Sequence, residues 1–161
     1  MPLNQSLVGK EYPPVVYEVG REKLREFAAA VGETDPVFHD EEAARAAGHA
    51  DIVAAPTFPV VVSLQATAAL HGDPELGLDY SRVVHGEQEF SYARPIVAGD
   101  RLLASSRVAA AEVKGRHELL TIETRVTTEG GDPVCTVRNV LLSRGTAPER
   151  DRQPQPREAA T

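Results

Sequence analysis

The sequence predicts an α+β domain in which an antiparallel β-sheet wraps a central buried α-helix, and three observations predict it. Helix-like periodicity fills the chain up to about Leu70, whereas strand-like segments run from about Tyr80 to Ser143. Segregation of this kind marks an antiparallel sheet rather than alternating βαβ units. Val60 to Leu70 is apolar or small on nearly every face, the pattern of a helix with no wet side. Further on, Leu120, Ile122, Thr124 and Val126 alternate with Thr121, Glu123 and Arg125, which gives a strand one dry face and one wet.

The elements follow in order. Val15 to Val19 forms a short first strand. Leu24, Phe27, Ala28 and Val31 fall at i, i+3, i+4 and i+7, with Arg21, Lys23, Arg25 and Glu26 on the other face. That is an amphipathic helix, and Gly32 ends it. Glu41 to Ala47, rich in Ala and Glu, is a second short helix closed at Gly48. Two prolines make the backbone irregular from Asp51 to Pro59, and the apolar helix follows. Four strands come next, separated by turns at Gly99-Asp100, Lys114-Gly115 and Glu129-Gly130-Gly131-Asp132. From Gly145 to Thr161 the chain is polar and Pro-rich. We therefore expect a folded domain over residues 1–144 and a disordered tail over 145–161.

Composition narrows the function. A chain of 161 residues suffices for one domain with a real core. Tryptophan is absent and aromatics are few, so Ala, Val, Leu and Ile must fill that core. The net charge of −7 and the lack of a Lys/Arg cluster along the sequence argue against a nucleic-acid partner and against an anionic membrane. The single cysteine, Cys135, excludes an intrachain disulfide and sits in an apolar stretch, as a small buried hydrophobe would. Met1 to Lys10 lacks the basic-then-apolar pattern of a secretory signal, and no apolar run is long enough for a bilayer. A cytoplasmic protein is the expectation. No His/Cys cluster has metal-ligand spacing, no Gly-rich phosphate loop is present and no Ser-His-Asp set is arguable, so the reading calls for neither metal nor cofactor.

The stretch Gly32-Glu33-Thr34-Asp35-Pro36-Val37-Phe38-His39, with Ala43, Ala44 and Ala47 beyond it, resembles the hydratase motif of MaoC-like proteins, Gly-Asp-x-Asn-Pro-x-His followed by small residues. Ala55-Pro56-Thr57-Phe58 is similar to the segment that opens that family's central helix. The stretches His85 to Tyr92 and Arg94 to Leu102 are similar to its strand and following loop. In order and spacing the likeness runs from about Val8 to Ser143, and it is nearest to the N-terminal MaoC-like dehydratase group, which includes the non-catalytic subunit of (3R)-hydroxyacyl-carrier-protein dehydratase.

The resemblance implies a hotdog fold and an (R)-specific 3-hydroxyacyl-thioester dehydratase or enoyl hydratase component, acting on an acyl-CoA or acyl-carrier-protein substrate. Such proteins pair, so it also implies a homodimer or a heterodimer with a second MaoC-like chain. In that family an Asp/His pair on one loop moves the protons, and helix N–H groups stabilise the thioester oxygen. Carried onto this chain, the catalytic residues are Glu33 and His39, and the substrate-binding residues are Pro56, Thr57, Phe58, His85, Gly86 and Gln88. The sequence departs from the motif twice. Glu33 stands at the Asp position, and Phe38 at the His position, with His39 one residue late. The alternative is a non-catalytic subunit that binds the acyl chain while a partner supplies the intact pair. A hotdog thioesterase is disfavoured, because no Asp or Glu lies between Pro56 and Leu70. His49 and His71 are expected to be exposed loop residues, and Glu87 and Glu89 to share a solvated strand face with His85.

Overall fold

A computed structural model describes residues 1–149. Its first strand, β1 (Val15–Glu18), leads into helix α1 (Arg21–Ala30). Three members of the amphipathic stripe do what its spacing predicts, Leu24 and Ala28 being buried and Phe27 packed against the same core, whereas Val31 caps the helix and is exposed. The chain leaves the helix through Gly32 at φ +78°, a left-handed conformation that favours glycine. A single 3-10 turn, Pro36–Phe38, precedes α2 (Glu41–Ala46). Asp35 and Asp40 cap these two elements, accepting the N–H groups of Val37 and Ala43 at 3.0 and 2.8 Å.

The apolar helix is α3 (Pro59–Ala66), followed by the short α4 (Ala68–His71). The break falls at Thr67, whose hydroxyl donates to the Ser63 carbonyl at 2.9 Å. Back-bonding of this kind bends helices. Val62, Ser63, Ala66, Thr67 and Leu70 are buried, but Gln65, Ala68 and Ala69 are exposed and Leu64 is 56% exposed. The expectation of a helix dry on every side is therefore corrected: one flank packs on the sheet and the other is open in the single chain.

Strands β2 (Val83–Tyr92), β3 (Arg101–Lys114), β4 (His117–Thr128) and β5 (Pro133–Ser143) complete the fold. All pairings are antiparallel, in the order β1-β3-β4-β5-β2. The β3–β4 hairpin closes at Gly115, φ +63°. On β4 the dry face is as predicted, but Thr121 is buried as well, opposite a bulge between Val108 and Ala110. A bulge places two residues against one and re-aims the side chains around it.

The sheet's concave face carries two clusters. Tyr17, Leu24, Phe58, Val62, Leu102, Val126 and Val134 pack under α1 and α3, with Phe58 edge-on to Phe27 and Tyr17. Leu3, Tyr12, Leu70, Leu76, Val108, Leu120 and Leu141 fill the other end beneath the N-terminal segment. Cys135 is buried in the first cluster, and burial pushes its thiol up to about 11. Past the expected boundary at residue 144 the chain still packs. Gly145 donates its N–H to His117 Nδ1 at 3.1 Å and Ala147 is buried. The remainder of the expected tail, 150–161, lies outside the described residues. Among the described residues no helix is long and apolar enough to cross a membrane.

Candidate functional site

The loop from Glu33 to Asp40 is held by main-chain geometry. His39 and Asp40 both donate N–H to the Pro36 carbonyl, at 3.0 and 2.8 Å, which closes the 3-10 turn. Arg25 on α1 donates through Nε to the His39 carbonyl at 2.8 Å. The His39 Nε2–H points back to the Glu33 main-chain carbonyl, 2.7 Å away. A carbonyl only accepts, so this contact puts the imidazole proton on Nε2. The two predicted catalytic residues are thus brought together, but ring to backbone rather than ring to carboxylate. Among the described residues the Glu33 carboxylate has no hydrogen-bond or ion-pair partner.

Next to this loop lies a cleft of about 490 Å³, lined by Val37, Phe38, His49, Val53, Ala54, Pro56 and the exit of β2 from Tyr92 to Pro95. Val53 donates its N–H to the Val37 carbonyl at 3.1 Å, and Ala54 to the Ile96 carbonyl at 2.8 Å. These bonds tie the cleft's walls to the core. Tyr92 spans it, its hydroxyl donating to the Pro56 carbonyl at 2.7 Å. Burial holds the Tyr92 phenol far above its ordinary value, so it stays a neutral donor. Arg94 is clamped by Asp100 through two bonds of 2.8 and 3.0 Å, a bidentate pair that leaves the wall little free charge. The cleft is therefore chiefly apolar, with the Tyr92 hydroxyl and the His49 ring as its polar points.

The other predicted residues are dispersed. Pro56 lines the cleft, Thr57 is exposed beside it, and Phe58 is fully buried in the core. The start of α3 does not present the free N–H groups expected of it. Phe58, Val60 and Val61 donate to the Ala55, Thr57 and Phe58 carbonyls, and Pro59 has no N–H. His85 and Gly86 are exposed on β2, where a bulge interrupts pairing with β5. A Cβ on Gly86 would come within 3.2 Å of the Val140 carbonyl, so the glycine serves close strand approach. Gln88 donates to Asn139 Oδ1 at 2.6 Å and does not line the cleft.

Two histidines correct the sequence reading. His49 is half-buried and lines the cleft. His71 is half-buried on α4, edge-on to Tyr80 at 5.3 Å, and burial lowers its pKa. Of the cleft-lining residues the sequence reading assigned Pro56 to the site; Val37 and Phe38 lie within its motif, and His49, Val53, Ala54, Tyr92, Ala93, Arg94 and Pro95 were not assigned. The Tyr92-to-Pro95 stretch lay inside the family likeness, but nothing local marked its side chains as cleft-lining.

A five-stranded antiparallel sheet curled over one apolar helix, with a cleft beside the Gly32–His39 loop, defines a hotdog domain of the dehydratase/hydratase class. Residues 6–137 match the family described as FAS1-like, dehydratase domain region, and the chain belongs to that family. It is 53% identical over 148 residues to a UPF0336 protein of Saccharopolyspora erythraea, covering 91% of this chain and 95% of that one. Among solved structures it is similar to the C-terminally truncated HadBC (3R-hydroxyacyl-ACP dehydratase) complex of Mycobacterium tuberculosis. That match has 28% identity and TM-score 0.73, and covers 82% of this chain and 92% of the other. A MaoC-like dehydratase superposes with TM-score 0.81 at 28% identity, covering 87% of this chain but 43% of that longer one.

Proposed function

We propose that the chain is the acyl-chain-binding subunit of a MaoC-like, (R)-specific 3-hydroxyacyl-thioester dehydratase/enoyl hydratase, active beside a second MaoC-like chain that supplies an intact Asp/His pair. The observation that carries this reading is the exchange at the motif's histidine position. Phe38 lines the apolar cleft there, while the His39 ring turns away to the Glu33 main chain. A general base must reach the proton it removes, and an extended acyl chain needs an apolar wall. The loop supplies the second and not the first.

The partner packs along β2. This strand has one neighbour, β5, and most of its residues are exposed. Val84 on it and Leu64 on the open flank of α3 are large exposed apolar side chains, and Tyr92 leaves part of its ring exposed while its hydroxyl is turned in to the Pro56 carbonyl. A long, uncovered edge of this kind is normally paired or covered. A homodimer and a heterodimer would both use it, and the similar HadBC structure is itself described as a complex.

The test is hydration of a short enoyl thioester. The purified chain alone is expected to give no turnover above background, and co-expression with a MaoC-like chain carrying Asp and His to restore it. Robust hydration by the chain alone, abolished in Glu33→Gln and His39→Ala, would refute the binding-subunit reading and assign catalysis to this loop.

A further inference from the structure

The bond from the Tyr92 hydroxyl to Pro56 has its cause in the sequence. At a helix start, the carbonyl of residue 56 would be taken by the N–H of residue 59 or 60. Pro59 has no N–H, and Val60 donates to the Thr57 carbonyl instead, at 3.1 Å. Among the described residues the Pro56 carbonyl is left with one donor, the Tyr92 hydroxyl at 2.7 Å. The tyrosine ring is thereby pinned from the end of β2 to the wall opposite.

We propose that Tyr92 sets the length of acyl chain the protein accepts, its ring being the stop between the apolar cleft and the interior behind it. This role rests on the cleft taking an acyl chain, as proposed above, and names the residue that limits that chain.

Strand register places what lies behind the ring. Tyr92 on β2 pairs with Cys135 on β5, Cys135 with Val126 on β4, and Val126 with Ala104 on β3. Directly paired residues point to one face, with Cβ atoms ~5 Å apart, so these four side chains form a row across the concave face. Cys135, Val126 and Ala104 are buried and belong to the cluster beneath α3. Tyr92 is the one member of the row that lines the cleft. One large ring at the mouth is thus followed by three small or mid-sized side chains. Burial, and after it the Cys135 sulfur, push the Tyr92 phenol well above its ordinary value, as expected of a ring set between cleft and core.

An acyl chain that grows inward along this row meets the ring first. Swinging the ring aside breaks its hydroxyl bond and leaves the Pro56 carbonyl without a partner, which opposes entry. Past the ring the row offers side chains no larger than valine, so removing the ring opens a path that its neighbours do not close.

Calorimetry of the full-length chain with saturated acyl-CoA thioesters, from butanoyl to dodecanoyl, reads the limit. Each methylene buried adds about fourfold in affinity, so affinity should climb with length and level off where the chain reaches the ring. In Tyr92→Ala the levelling point is expected to move to longer chains by several methylenes. In Tyr92→Phe, which keeps the ring and loses the pin, chains just past the wild-type limit should gain about two- to tenfold. Cys135 supplies a second readout. Its thiol should react severalfold faster with a neutral pyridyl disulfide in Tyr92→Ala than in wild type. At equal occupancy, a chain past the wild-type limit should protect that thiol and a chain at the limit should not.

A levelling point that stays in place in both variants overturns the stop, as does equal protection of Cys135 by the two chain lengths. Should Tyr92→Ala fail to fold, Tyr92→Phe decides alone, and no gain past the limit counts against the stop. Phe38→Ala is expected to weaken binding and leave the levelling point where it is. Wild-type affinity that never varies with chain length sinks the cleft and the stop together. A length dependence that Phe38→Ala weakens and neither Tyr92 variant moves sinks the stop alone.

Discussion

His39 Nε2–H donates to the main-chain carbonyl of Glu33 at 2.7 Å, so the histidine next to the motif position braces the loop. Replacement by alanine removes one partly buried hydrogen bond, worth about 0.5–1.5 kcal/mol. His39→Ala is expected to lower the unfolding free energy by that amount, read from urea titration. In the two-chain enzyme, turnover should stay within a few-fold of wild type, as stopped-flow hydration would register.

Phe38 offers half-buried apolar surface to the cleft. Losing its ring should cost about 1–2 kcal/mol of acyl-chain binding, a ~5- to 30-fold rise in Kd. The loss in Phe38→Ala should grow with chain length and vanish for the shortest acyl groups. A fluorescence displacement series across chain lengths reads this directly.

Burial drives Tyr92 far above its ordinary value, and burial, followed by the bond to Asp73, raises Tyr12 to about 12. The folded state thus holds these phenolic protons more tightly than the unfolded chain. Their contribution is complete below the ordinary tyrosine value of 10.0 and is lost as pH rises through the folded values. Unfolding free energy should fall from about pH 10 to about pH 12. Tyr92→Phe, which also removes the bond to Pro56, should flatten that decline; an unchanged slope would show the phenol is not desolvated.

At the acid end the Lys10 ammonium, 2.6 Å from Asp73, holds this carboxyl down to about 2, helped by the Tyr12 hydroxyl at 2.7 Å and the Glu75 N–H at 2.9 Å. A depressed folded value means the contribution is present above the ordinary 3.8 and is lost as pH falls through about 2. Asp73→Asn should therefore be less stable at neutral pH and show a shallower acid limb than wild type in a pH series of thermal melts.

Glu118 is 1% exposed, and both its carboxylate oxygens accept the Leu3 N–H, at 3.1 and 3.0 Å. Glu118→Gln weakens the charge-assisted bond, and Glu118→Ala leaves the buried N–H unpaired. We expect losses of about 1–3 kcal/mol, larger for alanine. Hydrogen exchange should localise the loosening to the first residues of the chain.

Much of the fold was legible because its causes are local. The 3.6-residue stripe of Leu24, Phe27 and Ala28 became α1, and Gly115 and the Glu129–Asp132 run became hairpin turns. Thr121 was read as wet because alternation assumes unbroken pairing, which the bulge opposite it violates. Helix α3 was read as dry all round because composition reports how apolar a face is, not whether this chain covers it.

The sequence by itself determined the α+β segregation, the apolar helix, the turn positions and the two departures from the motif at Glu33 and Phe38. These depend on residue type and near-neighbour spacing. Only the tertiary structure decided that Phe38 faces the cleft and His39 does not, that Tyr92 reaches Pro56 across 36 positions, and that Glu118 holds Leu3 across 115. Such contacts are set by strand register and packing of distant segments, to which no local pattern is bound.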